Sequence, residues 1–420
     1  MLESIKDFIF SLKPDIVVQA PSRINLINPL DAVEGDFWMP SVAINGINNP
    51  LSVFFYIKKS EKESLLKIYT IKKMEGGYSF ILKSEENLSQ TENGLYNELK
   101  GKNKLIYGSI YGLIKLNSYF KKIFLNSKIE LGLLTTIPVQ SGLGGSAAVI
   151  IAVLFGLTNY FKIFNNFRNL KEKEFPINKD IIAEIATKVE DKYLEITSGY
   201  GDRYIICRGG LSFCSYYGKL YHRELSKEPL AVYDRIDKTY ELNDLPIVVC
   251  FSGVHHESGD IHGKLRKIYL EKNHKILNFY EELGKIAWKS RFALMRHDWR
   301  CLGKYFKENT RIMNLIMETA GFKYGIGIIN NILIQIIEEH PEVYAAKLTG
   351  AGGGGSIFAL VNPDKKDDVL KFWYEKVHEL VNNKELFTSK FPSYSSDITN
   401  DFKQIQFFKV KIDKDGVKRL

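Results

Sequence analysis

The sequence predicts a two-domain α+β protein, and three observations carry that reading. Its 420 residues, 45% of them hydrophobic, are enough for two or three domains with substantial cores. Strand-like and helix-like patterns alternate through the first half, whereas residues 264–295, 298–317 and 325–340 read as long helices. A polar stretch rich in acids and bases, residues 219–244, separates the two regions and places the expected domains at 1–225 and 226–420.

Taken in order, residues 15–20 and 24–27 are short apolar runs on either side of Pro21-Ser22-Arg23. Residues 42–56 are strand-like, with interruptions at Asn45-Gly46 and Pro50, and 65–82 read as a hairpin turning at Gly76-Gly77. Residues 84–104 read as a surface loop and 105–119 as a helix. Tyr96, Tyr107 and Tyr111 are open between core packing and an adenine contact. Residues 128–136 alternate as a half-buried strand does, and 147–160 are apolar almost all round, as in a helix buried in a core. After a polar connection, residues 179–195 form a helical pattern with Ile182, Ile185, Ala186, Val189 and Tyr193 as its stripe and Glu190 at the border. A turn over 197–203 precedes expected strands at 204–207 and 210–216. Beyond the boundary, the buried strand 245–251 runs into a polar loop with His255, His256 and His262. Its spacing fits no standard zinc pattern, so a substrate or nucleotide lid is the expected use. Asp298 is placed to cap the next helix. Strands at 345–347 and 356–361 flank a glycine run, Asn362-Pro363 opens the helix 364–380, and 404–412 is a last strand.

The chemistry centres on Pro138-Val139-Gln140-Ser141-Gly142-Leu143-Gly144-Gly145-Ser146-Ala147-Ala148, between a strand and a buried helix. The first amides of a helix lack internal partners, the helix dipole favours anions there, and glycine lets a phosphate approach the backbone. Ser146 adds a hydroxyl suited to a phosphate oxygen or a Mg²⁺ ion. By itself the cluster is equally a plain tight turn. Gly142 to Ala147 also fits the dinucleotide pattern G-x-G-x-x-A, but the strand before it comes late in the chain and no acid ending a strand follows at the required distance.

Composition narrows the classes further. The net charge of +9, from 58 basic and 49 acidic residues, is scattered and interleaved, as in Glu61-Lys62-Glu63, so nucleic acid is not an expected partner. The field still favours a nucleotide or an acidic substrate. The four cysteines, Cys207, Cys214, Cys250 and Cys301, have no metal-ligand spacing and read as reduced thiols. The first residues lack a signal-peptide pattern, and the longest apolar run, 147–157, is too short to span a bilayer. A cytoplasmic protein without a membrane partner, monomeric or homodimeric, is expected.

Two more stretches join the glycine cluster: Ala20-Pro21-Ser22-Arg23-Ile24-Asn25-Leu26-Ile27, and Lys347-Leu348-Thr349-Gly350-Ala351-Gly352-Gly353-Gly354-Gly355-Ser356. In order and spacing the three resemble the signature motifs of the GHMP kinases, over roughly residues 16–362. The middle motif departs once, with Gly145 where the family has the first of two serines. The resemblance implies an N-terminal ribosomal protein S5 domain 2-like α/β domain and a C-terminal ferredoxin-like α/β domain. It also implies ATP and Mg²⁺ as cofactors and a small-molecule acceptor. Residues Ser141, Gly142, Leu143, Gly144, Gly145, Ser146 and Ala147 would hold the triphosphate, and Ser146 and Glu190 the Mg²⁺. Asp202, twelve positions after Glu190, would take the proton of the acceptor hydroxyl, with Arg23 stabilising the developing alkoxide. Gly350, Ala351 and Gly352 would close a turn around the substrates.

Within the family, the sequence resembles the sugar 1-kinases, glucuronokinase above all. The run from Leu194 to Arg203 is similar to that subfamily's catalytic turn, and Ser258-Gly259-Asp260-Ile261-His262, ahead of a basic run, to one of its loops. Asn28-Pro29-Leu30-Asp31 is similar to its Asn-Pro-Ser-Asp, which makes Asp31 a candidate for sugar hydroxyls. Residues 32–44 are nearer to galactokinase. Arg203 is open between clamping a substrate carboxylate and bracing the turn against Glu195. The alternatives to a uronate 1-kinase are a galactokinase- or mevalonate kinase-like activity and, given Gly145, a non-catalytic sensor.

Overall fold

In the computed structural model, residues 1–27, 31–33, 38–165, 177–216, 232–254 and 258–420 are described. Among them the extended runs become thirteen strands: β1 (Ile16–Asn25), β2 (Met39–Gly46), β3 (Ser52–Lys59), β4 (Leu65–Met74), β5 (Gly77–Asn87), β6 (Ile129–Thr135), β7 (Leu211–Ser215), β8 (Val232–Arg235), β9 (Ile247–Phe251), β10 (Val343–Leu348), β11 (Ser356–Val361), β12 (Gln406–Ile412) and β13 (Lys418–Arg419). Their path is β10-β11-β9-β12-β2-β1-β3-β6-β4-β5, with β7 joining β2 to β8 and β13 beside β1. Neighbours are antiparallel except β4 and β6. β12 pairs with β9 through residues 406–409 and with β2 through 410–412, so the end of the chain joins the strands of the two halves. The boundary expected at 225/226 lies outside the described residues.

The helix Gly145–Tyr160 lies over β1 and β3. Residues 147, 148 and 150–158 of it are buried, so its all-round apolar sequence is matched by all-round burial. The helices His274–Met295 and Trp299–Thr319 pack against each other, and Ile328–Ile337 and Lys366–Asn382 pack on β10, β11 and β9. The Asp298 carboxylate accepts from the Cys301 amide at 2.9 Å, and the Asn362 side chain accepts from the Asp364 amide at 3.2 Å, so both caps form as expected. No helix among the described residues is long and apolar enough to cross a membrane.

The structure departs from the sequence reading in four places. Residues 84–87, expected in a loop, continue β5 against Leu65–Ile68, and a helix Glu92–Asn97 follows under a Thr91 cap. β5 is an edge strand, where solvated charges such as Glu85 are compatible with pairing. Residues 204–207 are not a strand but the body of the helix Gly201–Arg208. Here an acidic cap from Asp31 and the burial of Ile205 and Ile206 override the preference of β-branched residues for strands. The pattern over 179–195 is an α-helix only to Lys188 and then widens into a π-turn, Val189–Tyr193. Finally, the long helix beginning at 264 is two: Ser258–Leu270 and His274–Met295, the second capped by the Asn273 side chain.

Candidate active site

Two glycine-bearing loops and the first turn of a helix meet around Arg23. The first is the approach to the helix Gly145–Tyr160. Gln140, Gly142 and Gly144 have φ of 53°, 69° and 78°. These left-handed turns fold the chain so that Gly144 precedes the helix with no side-chain cap. The first helical bond runs from the Ala148 amide to the Gly144 carbonyl at 2.9 Å. The amides of Gly145, Ser146 and Ala147 therefore lie ahead of the helical ladder. Ser146 is exposed at this mouth, whereas Leu143 is fully buried and anchors the loop. Its carbonyl accepts from Ser22 Oγ at 2.7 Å and from the Arg23 amide at 3.2 Å.

The second loop joins β10 to β11. Thr349 Oγ1 faces the Gly142 carbonyl at 3.5 Å, and a Cβ on Gly350 would stand 3.3 Å from the Gly142 Cα. A side chain at Gly350 would need the Gly142 backbone to give way slightly, which favours glycine where the two loops touch. Ala351 is buried at this contact. Gly353, Gly354 and Gly355 are pinned from behind: Gly353 N donates to the Ile326 carbonyl at 2.8 Å, Gly355 N to Val254 at 3.0 Å, and Asn330 Nδ2 to the Gly354 carbonyl at 2.9 Å. Ser141 Oγ, Ser356 Oγ and Arg23 Nε are buried here without a protein partner. Buried polar groups are normally paired, so three orphans beside open helix amides mark a place built for a polar ligand.

The third element is the first turn of the helix Gly201–Arg208. Asp202 projects from it to β1, where Arg23 Nη2 donates to Oδ2 at 2.5 Å and Asn25 Nδ2 to Oδ1 at 3.0 Å. Ser41 Oγ donates to Asn25 Oδ1 at 2.8 Å, which fixes the amide with its NH₂ towards Asp202. The same guanidinium donates through Nη1 to the Gly142 carbonyl at 2.5 Å. One arginine thus links the glycine loop to the carboxylate.

The remaining expected site residues take supporting places around this turn. Asp31 is buried, and its Oδ2 accepts from the amides of Tyr200 and Gly201, both at 2.7 Å. A Cβ on Gly199 would come within 2.3 Å of that oxygen, so the carboxylate fits only over glycine. Arg203 is buried as well. It pairs with Glu190 through Nη2 and donates to the Gly199 carbonyl through Nη1 at 3.0 Å. Burial pulls the Arg203 guanidinium down to about 10, which still leaves it charged at neutral pH. Of the two roles open to Arg203, this geometry favours the brace, with Glu190 as the partner in place of Glu195. The two residues expected to share a cation are accordingly unequal. Ser146 offers an exposed hydroxyl, but Glu190 is 1% exposed and its charge is met by Arg203, so together they do not form an open cation site in this arrangement.

Sequence reasoning missed Arg266. From the helix Ser258–Leu270 it donates to the Ala32 carbonyl at 2.6 Å, to Asp191 Oδ1 at 2.8 Å and to the Ser198 carbonyl at 2.8 Å. In sequence it is one cation of a basic run, and nothing local distinguishes it. His255 and His256 lie outside the described residues. Tyr111 is buried and packs edge-on against Tyr193, while Tyr96 is 57% exposed beside it.

Comparison with known proteins places the chain in a family. Residues 106–210 match the N-terminal domain of the GHMP kinases and residues 292–379 their C-terminal domain. The D-glycero-alpha-D-manno-heptose 7-phosphate kinase of Campylobacter jejuni is 28% identical over 269 residues, 63% of this chain and 70% of that protein. Glucuronokinase 1 of Arabidopsis thaliana is 26% identical over 280 residues, 63% of this chain and 69% of its own. Lactococcus lactis galactokinase, solved with galactose, superposes with a TM-score of 0.61 at 16% identity, covering 96% of this chain and 95% of that one. The first of the two matched domains contains the glycine loop, Glu190 and Asp202, which removes the dinucleotide reading; the chain is a two-domain kinase of the GHMP family.

Proposed function

We propose that this kinase transfers the γ-phosphoryl group of ATP to a sugar hydroxyl, with the anomeric hydroxyl of a uronic acid such as glucuronate as the acceptor. The products are the sugar 1-phosphate and ADP. The observation that carries the reading is the Arg23 bridge, which holds Asp202 2.5 Å from one guanidinium nitrogen while the other bonds the Gly142 carbonyl of the glycine loop. A base for the acceptor and a cradle for the donor are thereby fixed to one rigid group.

Phosphoryl transfer needs positioning and charge neutralisation more than covalent chemistry. The amides of Gly145 to Ala147 and the Ser141 hydroxyl receive phosphate oxygens. Mg²⁺ bound with the nucleotide would offset phosphate charge, and the exposed Ser146 hydroxyl at the helix mouth would be its protein ligand. Asp202 Oδ2 accepts the proton of the attacking hydroxyl, and Arg23 lies beside the alkoxide that develops. Asp31, Arg203 and Glu190 hold the turn that carries Asp202. The loop over Gly350 to Gly352 closes the donor side against Gly142.

The similarity to glucuronokinase 1 and the catalytic-turn sequence support the uronate. A second reading, a sugar that already carries a phosphate, is favoured by the 28% identity to the heptose 7-phosphate kinase. A coupled ADP-release assay against glucuronate, galacturonate, galactose, arabinose, heptose 7-phosphate, mevalonate and homoserine separates these. The expected result is the highest kcat/KM on glucuronate. Heptose 7-phosphate in first place would select the second reading. Turnover of mevalonate or homoserine at least equal to that of any sugar would end the sugar assignment.

A further inference from the structure

The helix Ser258–Leu270 presents one face to the catalytic turn. Gly259, His262, Gly263 and Arg266 fall at helical positions i, i+3, i+4 and i+7, so they line one side. A Cβ on Gly259 would stand 3.1 Å from Ile196 Cγ2, and one on Gly263 3.3 Å from Thr197 Oγ1. The two glycines bring the helix close to the segment that leads into Gly199–Asp202. Arg266 locks it there through its bonds to Ala32, Asp191 and Ser198, which fasten the Asp31 segment and the turn to the same helix.

His262 lies between those two glycine contacts. Its ring meets the Thr197 backbone on one side and is close enough to Asp31 and Asp202 to sense both charges. Burial outweighs them and pushes the imidazole down to about 4, so at neutral pH the ring is uncharged. A neutral imidazole keeps one donor and one acceptor nitrogen. Nε2 is sealed from solvent and has no hydrogen-bond partner. An unpaired buried nitrogen is unfavourable unless something completes it. The nearby carboxylates are held by other groups: Asp202 by Arg23 and Asn25, Asp31 by the amides of Tyr200 and Gly201.

We propose that His262 is an acceptor-binding residue, its Nε2 hydrogen-bonding a hydroxyl of the substrate that Asp202 deprotonates. This rests on the kinase reading above and adds a specificity-determining residue on the helix Ser258–Leu270. The sugar is gripped from both halves of the chain, by Asp202 on one side and His262 on the other.

The two nitrogens can be separated by substitution. The amide of glutamine reaches the position of Nε2, and that of asparagine the position of Nδ1. Steady-state kinetics are measured on the full chain and on His262→Gln, His262→Asn and His262→Leu, with whichever acceptor of the panel gives the highest kcat/KM. His262→Asn and His262→Leu should raise the acceptor KM about tenfold or more, as for one lost hydrogen bond in a closed site, while the KM for ATP stays within about twofold. His262→Gln should stay within about threefold of wild type. An unchanged acceptor KM in His262→Leu overturns the inference. So does a rise shared equally between ATP and acceptor with a lowered melting temperature, which is the mark of a packing role. If mevalonate proves the best acceptor, the sugar assignment fails, and His262 is judged on the mevalonate KM alone.

Discussion

The proposed donor and acceptor sides of the site are built from different materials. On the donor side the ligand-facing groups are mainly backbone: open amides at residues 145–147 and two glycine loops that touch at Gly142 and Gly350. On the acceptor side they are side chains held by side chains. Asp202 is oriented by Arg23 and Asn25, and its turn by Asp31, Arg203 and Arg266. The first kind of site tolerates a change of chemistry but not an added Cβ. The second tolerates small changes of volume but not loss of a charge or a hydrogen-bonding atom. Asp202→Asn tests the second rule most severely. It preserves shape and removes the proton acceptor, so kcat should fall about 10²–10⁴-fold while ATP still binds by calorimetry. Near-normal turnover would remove Asp202 from the chemistry.

Gly144→Ala tests the first rule. At φ 78° a side chain is strained, and its Cβ would stand 2.9 Å from Arg23 Cγ and 3.2 Å from Ile206 Cδ1. The KM for ATP should rise about tenfold or more. Because the clash is with Arg23, kcat should fall too, which a purely local phosphate loop would not show. Arg203→Lys is milder. Lysine keeps the charge but cannot bond Glu190 and the Gly199 carbonyl together. As a brace, Arg203 predicts that kcat falls about tenfold on every acceptor. A rise confined to the KM for uronates would instead make Arg203 a carboxylate clamp.

This contrast also explains what was legible in the sequence. Left-handed φ values of 69° and 78° favour glycine at Gly142 and Gly144, and the close approach to Gly142 favours it at Gly350, so the donor side is written in short contiguous motifs. The acceptor side is written in pairs distant along the chain. The partner of Arg203 is Glu190, not the nearer Glu195, because the π-turn at Val189–Tyr193 re-aims the end of that helix. Residues 204–207, expected as a strand after the glycine-bearing turn, are helical despite the β-branched Ile205 and Ile206. The stop signal for the helix, Gly209 and Gly210 both at φ 73°, was present in the sequence, but its start depends on a carboxylate from residue 31. Arg266 has no local signature at all. Periodicity located the buried helix Gly145–Tyr160 and the β4–β5 turn at Gly76-Gly77 because both depend on local pattern.

Lys347 lies on the seam between the two sides and gives a pH-dependent test. It is buried, with Nζ donating to the Leu348 carbonyl at 2.6 Å and facing the Asn25 carbonyl at 3.5 Å. Burial pulls its ammonium from 10.5 down to about 7. Between those values the unfolded chain holds a proton that the folded chain has released, so stability rises with pH across that window. The destabilisation is greatest below pH 7, where the folded chain holds the buried charge, and vanishes above 10.5, where the unfolded chain has released its proton too. Lys347→Met should therefore raise the melting temperature most at pH 6, with the gain shrinking steadily towards pH 10. A gain independent of pH would mean that packing, not charge, is responsible.

The smallest expected effect concerns Gly145, the position that departs from the family's pattern. Unlike Gly142 and Gly144, it has no positive φ. A Cβ there would meet the Ile137 side chain, with Cγ2 at 3.5 Å and Cβ at 4.0 Å, both ordinary contacts. Nothing in the backbone therefore demands glycine, and Gly145→Ser falls under neither of the two rules. Serine would lose less chain entropy than glycine on entering the first helical turn, so stability should rise by at most about 0.5–1 kcal/mol. That corresponds to a melting shift of roughly 1–4 °C in a chain with domains of this size. The kinetic constants for ATP and the acceptor should stay within about twofold, because the amide of residue 145 is unchanged. A large fall in the KM for ATP in Gly145→Ser would show instead that the missing hydroxyl is a phosphate ligand, and that this side of the site depends on a side chain after all.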